Sequence, residues 1–159
     1  MSDGKVLATV AVPNGPRGLA FDGLNIWVTS YGSNIVIKVR VSDASVPGTY
    51  PVATYPIAAA FDGTNIWVAN SRDNTVTKLL ATDGAVAGVY PTGSQPYGLA
   101  FDGSHIWVAN SGSDNVTKLN AADGRVVGTF AAGNEPYGVA FDGSNIWITN
   151  FSSNTVSKM

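Results

Sequence analysis

Short apolar runs of five or six residues, separated by polar turns, occur along the whole chain. In the third quarter, Tyr97–Phe101 ends at an Asp-Gly pair and is followed by the runs His105–Asn110, Asn115–Leu119 and Arg125–Phe130. An Asp-Gly pair between two apolar runs favours a tight hairpin, because glycine accepts the positive φ that such turns need. No stretch shows a sustained period of 3.6 residues, and the runs are rich in β-branched side chains. The pattern therefore predicts four antiparallel strands in this quarter and an all-β chain.

The same pattern recurs every forty residues without an insertion. A four-stranded antiparallel meander repeated at this spacing is typical of a β-propeller blade. We therefore predict a single repeat domain over residues 1–159, with blades at about residues 17–50, 57–90, 97–130 and 137–159. The Phe-Asp-Gly triplets that mark the step begin at Phe21, Phe61, Phe101 and Phe141.

The second strand of each repeat is apolar on both faces, as in the run Ile66–Ala69. A strand with two buried faces has to lie between two other layers, whereas a surface sheet with one solvated face would alternate apolar and polar residues. A blade packed between two neighbouring blades meets this requirement.

The N-terminal segment matches the fourth strand of a repeat. Lys5–Val10 aligns with Ala85–Tyr90 and Arg125–Phe130, and the last repeat stops after its third strand. We therefore predict that Lys5–Val10 supplies the outer strand of the final blade, which would remove an exposed sheet edge.

Two ring sizes are compatible with four repeats: four blades in one chain, or eight blades in a pair of chains. Four blades would splay by about 90° each and eight by about 45°, whereas packed sheets stay about 10 Å apart. The chain has 18 glycines and small segments such as Ala58–Ala60, which leave a wide wedge unfilled, and such voids cost about 24 cal/mol per Å³. We therefore favour a C2 pair of chains that forms an eight-bladed ring, each chain lending Lys5–Val10 to the other. A monomer is the alternative.

Composition narrows the classes of function. The 159 residues include no cysteine, which excludes a disulfide framework, a thiolate metal site and a cysteine nucleophile. The net charge of −2 does not favour a general nucleic-acid binder. No apolar run approaches the roughly 20 residues that span a bilayer, and the first residues lack a signal-peptide pattern. We expect neither a nucleic acid nor a membrane as partner. The sequence does not indicate a cellular compartment.

Three segments of the last repeat resemble a known class of propeller repeat. Pro136–Asp142, Ile146–Asn150 and Asn154–Lys158 look like NHL and YVTN repeats, and they are similar to the propeller of the virginiamycin B lyase family; all four repeats match. The resemblance implies a β-propeller fold. Full-length members usually carry six or more blades, so a chain with four departs from the family pattern.

The resemblance to the lyase family also implies an elimination reaction that uses histidines and a glutamate with Mg²⁺. This chain has one histidine, His105, and one glutamate, Glu135. His105 follows the turn between a first and a second strand, whereas Glu135 precedes a first strand. We therefore expect them on opposite faces of the disc, about 15 Å or more apart. The catalytic set does not carry over, and we predict no enzyme activity of this kind, no cofactor and no metal site.

Two sets of repeated residues are interpreted as structural. The tryptophans lie on second strands at an invariant step, which favours packing between blades. The aspartates of the Phe-Asp-Gly triplets precede a glycine in a turn, where a carboxylate accepts hydrogen bonds from backbone amides. The two sets are Trp27, Trp67, Trp107 and Trp147, and Asp22, Asp62, Asp102 and Asp142.

The positions at which the repeats differ indicate a binding surface. The segments before the first strands and those between second and third strands should meet on one face, and they carry aromatic, arginine and amide side chains typical of recognition surfaces. We predict a non-enzymatic scaffold that binds a protein, peptide or glycan through this face and the central channel. A metal-dependent lyase or hydrolase, and a natural or engineered propeller fragment whose only property is self-assembly, are the alternatives. The candidate binding residues are Arg17, Tyr31, Ile57, Arg72, Tyr97, Glu135, Tyr137 and Phe151.

Overall fold

The computed structural model describes residues 4–159, which form antiparallel sheets of consecutive strands, here called blades 1 to 4. Blade 1 contains β1 (Pro16–Phe21), β2 (Asn25–Ser30), β3 (Ile35–Arg40) and β4 (Gly48–Pro51). Blade 2 contains β5 (Pro56–Phe61), β6 (Asn65–Asn70), β7 (Thr75–Leu80) and β8 (Val86–Pro91). Blade 3 contains β9 (Pro96–Phe101), β10 (His105–Asn110), β11 (Asn115–Asn120) and β12 (Val126–Ala131). Blade 4 contains β13 (Pro136–Phe141), β14 (Ile146–Asn150) and β15 (Thr155–Lys158).

This architecture confirms the prediction of an all-β propeller array with four blades per chain. The strands of blade 3 begin and end within one residue of the positions that the apolar pattern predicts. The Asp-Gly pair between β9 and β10 is a tight turn, and Gly103 has a φ of 97° that an L-residue rarely adopts. No helix long and apolar enough to cross a membrane occurs in residues 4–159.

Adjacent blades pack through two different faces. One face of each blade, its tryptophan face, carries Trp27 and Val36 in blade 1. The opposite face, its isoleucine face, carries Ile66, Val68 and Leu79 in blade 2. The tryptophan face of blade 1 packs against the isoleucine face of blade 2, and these five side chains are buried together. Equivalent residues form the same interface between blades 2 and 3 and between blades 3 and 4, so removal of apolar area from water holds neighbouring blades together.

A buried lysine completes each of the first two interfaces. Lys38 Nζ donates hydrogen bonds to the carbonyl oxygens of Ala81 at 2.8 Å and Thr82 at 3.2 Å in the next blade, and it lies 4.9 Å from the ring centroid of Trp27. Lys78 repeats the arrangement against blade 3. These contacts offset the desolvation of the ammonium group, which would otherwise oppose burial.

The four blades do not close into a ring by themselves. Strand β1 packs against β5, β5 against β9 and β9 against β13, but no comparable contact joins β13 to β1 within residues 4–159. The isoleucine face of blade 1 and the tryptophan face of blade 4 are therefore the two ends of an open array.

The single chain does not show Lys5–Val10 as the outer strand of blade 4, and this pairing stays a prediction. Residues 5–10 form no strand, and the fourth sheet consists of β13, β14 and β15. The connection from this segment to β1, residues 11–15, spans at most about 18 Å. Because blade 4 is not packed beside blade 1, the segment does not pair with β15 of its own chain.

Candidate functional site

One end of the blade array, called the loop face, is formed by two sets of connections. They are the segments before each first strand and the turns between second and third strands, and backbone hydrogen bonds hold each pair together. The amide of Tyr31 donates to Gly15 O, that of Ser71 to Tyr55 O, and that of Phe151 to Glu135 O. The two loop sets therefore meet on one face, as their positions in the repeat require.

In blades 2, 3 and 4 the residue before the proline that opens the first strand adopts a left-handed backbone conformation that L-residues avoid. Tyr55, Gln95 and Glu135 have φ values of 63°, 52° and 51°, and the equivalent position in blade 1 is Gly15. A side chain in this conformation costs about 1–2 kcal/mol. Blade 1 has a glycine at this position, which avoids the strain. The other blades accept the strain and have a side chain on the loop face in return. Such strain is concentrated at functional sites.

Side chains from the preceding blade hold these strained residues in place. The amide of Tyr55 donates to Asn34 Oδ1 at 3.0 Å, and the amide of Gln95 donates to Asn74 Oδ1 at 2.8 Å. Asp114 Oδ1 accepts in the same way from Glu135. The loop face is therefore ordered by hydrogen bonds that cross from blade to blade.

Three aromatic rings form a stack on blades 3 and 4. The rings of Tyr97 and Tyr137 lie 4.3 Å apart at an angle of 19°, and those of Tyr137 and Phe151 lie 5.3 Å apart at 20°. Phe151 is 66% exposed at the open end of the array. Near-parallel rings of this kind offer flat apolar surfaces to a ligand.

Two arginines, one on blade 1 and one on blade 2, lie over aromatic rings. Arg17 Nη2 donates to the Tyr97 hydroxyl at 2.6 Å, and its guanidinium carbon lies 5.4 Å from the ring centroid of that tyrosine. The guanidinium carbon of Arg72 lies 4.6 Å from the ring centroid of Tyr55, which is itself 4.7 Å from that of Tyr31. The guanidinium planes are thus positioned by rings and by a phenol, not by carboxylates.

Neither arginine of the loop face has a carboxylate partner within the described part of the chain. The salt bridges of residues 4–159 join Arg40 to Asp43 and His105 to Asp102. Carboxylates on the loop face accept from backbone amides instead, as Asp73 Oδ2 does from Thr54 at 2.5 Å. The positive charges of the two arginines therefore remain open to an anionic group.

The phenol of Tyr137 is held in its protonated form. Burial raises its pKa, and the neighbouring Glu135 and Tyr97 raise it further, against the opposing effect of Arg17. At neutral pH this hydroxyl is therefore a hydrogen-bond donor.

A cleft of about 520 Å³ opens on the loop face between these residues. A second cleft of about 640 Å³ lies on the opposite end of blade 1, next to exposed Leu24 and Val41. It is larger, but it lacks an aromatic stack and extends to Lys38, Tyr50 and Thr82 at the interface between blades 1 and 2. The loop-face cleft is lined by Arg17, Tyr55, Ser71, Arg72, Asn74, Ser94, Gln95, Tyr97, Ser111 and Tyr137.

The candidate binding residues do not all reach this cleft. Arg17, Arg72, Tyr97 and Tyr137 line it, and three others stand nearby. Tyr31 contacts Tyr55, Phe151 continues the ring stack, and Glu135 accepts a hydrogen bond from Ser152 at 2.5 Å. Ile57 is 5% exposed and packs below the surface.

Sequence reasoning did not single out Tyr55 and Gln95, which also line the cleft. Both precede the proline that opens a first strand, at the forty-residue step shared with Gly15 and Glu135. The spread of residue types at one repeat position, glycine included, is the signal that would have identified them.

The repeated aspartates each hold the tryptophan of their own blade. In all four blades the indole Nε1 donates to the aspartate Oδ2 at 2.7 Å, while Oδ1 accepts from backbone amides of the turn. Burial would raise the pKa of Asp62, but the hydrogen bonds from Trp67 and Asn65 outweigh it and the pKa is lowered. These carboxylates are therefore engaged in structure.

His105 and Glu135 occupy opposite ends of strands. His105 begins β10 beside Asp102, its Nδ1 lying 3.2 Å from Asp102 Oδ2, whereas Glu135 stands on the loop face before β13. Within residues 4–159, no group of three or more His, Cys, Asp or Glu side chains is placed to hold a metal ion.

Comparison with known proteins identifies the fold. No protein-family model matches the chain, and no curated protein sequence matches it. The chain is similar in structure to the computationally designed Ika4 protein, with 12% identity, 98% of each chain covered and a TM-score of 0.85. It is also similar to hydrazine synthase of Kuenenia stuttgartiensis, with 19% identity, 98% of this chain and 52% of that chain covered and a TM-score of 0.76.

A further similar structure is a catalytically inactive virginiamycin B lyase from Staphylococcus aureus with quinupristin. The identity is 18%, the coverage is 90% of this chain and 51% of the lyase, and the TM-score is 0.76. The chain thus spans about half the length of the lyase and of hydrazine synthase. These similarities support the propeller fold that the repeat pattern implies.

Proposed function

We propose that the protein is a non-enzymatic binding module whose loop face recognises acidic peptide segments containing aromatic residues. The cleft of the loop face and the stack of Tyr97, Tyr137 and Phe151 form the binding surface. Arg17 and Arg72 supply the charge.

The observation that carries this proposal is the pair of arginines that have no carboxylate partner among residues 4–159 and lie beside a stack of aromatic rings. A guanidinium group already held by rings loses little freedom when it binds a carboxylate, and it can donate two parallel hydrogen bonds. Tyrosine and arginine are among the side chains most enriched at positions that dominate binding energy. A ligand with a carboxylate and a flat ring matches both parts of the surface.

The backbone strain at Tyr55 and Gln95 supports the same assignment. Both side chains line the cleft, and both lie in a left-handed conformation that the equivalent Gly15 adopts more easily. Their preorganised position lowers the entropy lost when a ligand binds.

The arrangement does not favour the reaction named for the lyase neighbour. The single histidine and the single glutamate lie at opposite ends of their blades, so they do not converge on one substrate atom. General acid–base chemistry requires groups within hydrogen-bonding reach of the same proton.

The proposal is tested with two blocked peptides that differ only in charge, Ac-Tyr-Glu-Tyr-Asp-amide and Ac-Tyr-Gln-Tyr-Asn-amide. Titration followed by backbone and tyrosine NMR shifts should show at least tenfold tighter binding of the acidic peptide, with shifts on the loop face. Arg17→Gln combined with Arg72→Gln should remove that preference. Tyr97→Ala combined with Tyr137→Ala should weaken both peptides.

Arg125→Gln is the matched control, because Arg125 is an exposed arginine in a turn on the opposite face. It should leave both titrations unchanged. Equal binding of the two peptides, shifts elsewhere on the molecule, or binding of an oligogalacturonate probe but of neither peptide would overturn the assignment to acidic peptides.

A further inference from the structure

The two ends of the blade array are complementary to each other. Each internal interface joins a tryptophan face to an isoleucine face, and the array ends with an uncovered isoleucine face on blade 1 and an uncovered tryptophan face on blade 4. The two uncovered faces are thus the two halves of one more interface of the same kind.

Both end faces carry side chains that are more exposed than their equivalents in the internal interfaces, although Val28 and Ile37 of blade 1 are buried, at 7% and 1% exposure. Trp147 is 39% exposed and Val156 is 59% exposed, whereas Trp67 and Val76 are fully buried at the same repeat positions. On blade 1, Phe21 is 54% exposed and Leu19 is 64% exposed. Contiguous exposed apolar faces of this kind mark interaction surfaces.

The outer edge of the fourth sheet is uncovered in the described chain, and a segment of matching sequence forms no strand. Strand β15 has no strand on its outer side in the described chain, because the fourth sheet ends there. Residues 5–10 match the outer strands of the repeat in sequence but form no strand, and the side chains of Val6 and Leu7 are exposed. An exposed edge and a segment of matching sequence are a template for pairing between chains.

The residue types around position 10 match a steric pattern of the outer strands in the other blades. At Gly88 a Cβ would overlap the ring of Tyr90, two residues further along the outer strand, and at Gly84 a Cβ would overlap the ring of Tyr50. Both glycines are therefore required by a neighbouring ring. The position equivalent to these tyrosines is Val10 in the N-terminal segment.

Where the ring is absent, both glycines are replaced. Residue 8, two before Val10, is Ala, and residue 44, equivalent to Gly84, is also Ala. A valine at position 10 leaves room for both methyl groups. Alanine at both positions is therefore consistent with a segment 5–10 that forms the outer strand of a blade next to blade 1.

We infer that a second copy of this chain supplies that blade, so that two copies form a closed ring of eight blades. The tryptophan face of blade 4 in one copy packs on the isoleucine face of blade 1 in the other. Residues 5–10 of each copy become the outer strand of blade 4 in the other copy. The register of β11 with β12 then pairs Val156 with Val10, Ser157 with Thr9 and Lys158 with Ala8.

Continuity with the existing interfaces selects a second copy as the occupant. The contact repeats the packing of the three internal interfaces. Lys158, which lies 5.2 Å from the Trp147 ring, would face the backbone carbonyls of Val41 and Ser42 in the second copy, as Lys38 faces those of blade 2. A head-to-tail contact that closes after two copies is the smallest ring that leaves no uncovered face.

The second copy also completes the loop face. Phe151 stands at the open end of blade 4, and Tyr31 belongs to blade 1 at the other end, whereas Arg17 already contacts Tyr97 within one chain. In the two-copy ring, Phe151 of one copy lies near Tyr31 of the other across each new interface. The assembly does not depend on the proposed ligand, because its interface lies between blade faces.

The first experiment measures mass by sedimentation velocity at micromolar concentration without added ligand. We expect twice the chain mass of 16.5 kDa. Val156→Asp places a charge on the uncovered face and should give a folded species of the single-chain mass. Val89→Asp is the control, because Val89 is exposed to a similar extent, 52%, on an outer strand away from the uncovered faces; it should keep the doubled mass.

The second experiment uses the absence of cysteine from the chain. Thr9→Cys and Ser157→Cys are made in separate chains, mixed, and oxidised. Paired residues directly opposite in neighbouring strands are close enough for a disulfide. A disulfide between the two different chains is expected, and mixing Leu7→Cys with Ser157→Cys, which is out of register, should give much less.

Each outcome decides the inference. Three results together support it: a doubled mass of the parent chain, a single-chain mass of Val156→Asp but not of Val89→Asp, and the mixed disulfide. A parent chain of single-chain mass, a larger open assembly, or a dimer without the mixed disulfide would overturn it. A failed peptide titration would leave these results unchanged, so the two proposals fail separately.

Discussion

The interface between blades 2 and 3 and the open end of blade 4 contain the same residues in the same register. At both places an indole Nε1 donates to an aspartate at 2.7 Å, and a lysine lies over the ring, 5.0 Å from Trp67 and 5.2 Å from Trp147. Only the first is covered by a following blade. Trp67 is fully buried there, whereas Trp147 is open to solvent.

This difference separates what one repeat determines by itself from what its neighbour adds. The hydrogen bond between tryptophan and aspartate forms within a blade and survives exposure. Burial of the ring, and the hydrogen bonds that Lys78 Nζ donates to Ala121 O and Ala122 O, require the next blade. Stability in such arrays is the sum of repeat terms and interface terms, and blade 4 lacks the interface on its tryptophan face.

The largest expected effect comes from removing the two indoles in turn. Trp67→Ala should destabilise the chain by about 3–5 kcal/mol, because it leaves a cavity between two packed blades. Trp147→Ala should cost less than about 1.5 kcal/mol when it is made in the Val156→Asp chain. That chain does not assemble, so the tryptophan face of blade 4 stays exposed. Urea unfolding followed by far-UV circular dichroism measures both values.

The Val156→Asp background serves as the reference for both substitutions. Equal destabilisation by the two changes would show that the ring of Trp147 is packed in the single chain. It would then contradict the distinction between covered and uncovered faces.

A smaller effect is expected from the aspartate that holds the covered indole. The pKa of Asp62 is lowered from its ordinary value of 3.8 because hydrogen bonds from Trp67 and Asn65 outweigh burial. A lowered pKa means that the folded state favours the charged form. The stability that it contributes is complete above about pH 5 and is lost as the pH falls through 4 and below.

Asp62→Asn should therefore cost about 1–2 kcal/mol at pH 7, since it replaces a charged acceptor and leaves the indole N–H facing a donor. The cost should shrink as the pH is lowered toward 3. Urea unfolding between pH 3 and 7 measures this trend, and Asp83→Asn in an exposed turn serves as the comparison substitution. A cost that stays constant with pH would contradict a charge-dependent role.

Much of the fold follows from the sequence because the repeat is constant in length. The Asp-Gly turns and the doubly apolar second strands define each blade locally, and the strands of blade 3 appear within one residue of their predicted bounds. The position of residues 5–10 did not follow in the same way. Their sequence pattern predicts an outer strand, but it does not indicate which chain provides the sheet edge that this strand joins.

The loop face was predicted in outline only. Repeat positions show that two loop sets converge, but not that Arg17 reaches across to Tyr97, eighty residues away, at 2.6 Å. Such contacts depend on the angle between blades, which is a property of packing and not of any one repeat. The same reason explains why Ile57, predicted as a binding residue, is buried. Its position varies between repeats, but the packing of the blades covers its side chain.

The smallest effect concerns the turn between the third and fourth strands of blade 1. Ala44 has a φ of 57°, and the equivalent Gly84 has a φ of 77° with the ring of Tyr50 against it. Ala44→Gly should stabilise the chain by at most about 1 kcal/mol, because relief of left-handed strain worth about 1–2 kcal/mol is partly offset by the greater freedom of glycine in the unfolded chain. Urea unfolding measures the difference, with Gly84→Ala as the destabilising control.

The same turn also reports on residue 10, whose side chain should lie against it in the assembled ring. Val10→Tyr should be tolerated only together with Ala44→Gly and Ala8→Gly, because a tyrosine ring needs both methyl groups removed. Urea unfolding of the parent, Val10→Tyr and the triple variant measures this dependence. If Val10→Tyr alone were as stable as the triple variant, residue 10 would not occupy the place of Tyr50 and Tyr90, and blade 1 would have no outer strand of another blade beside it.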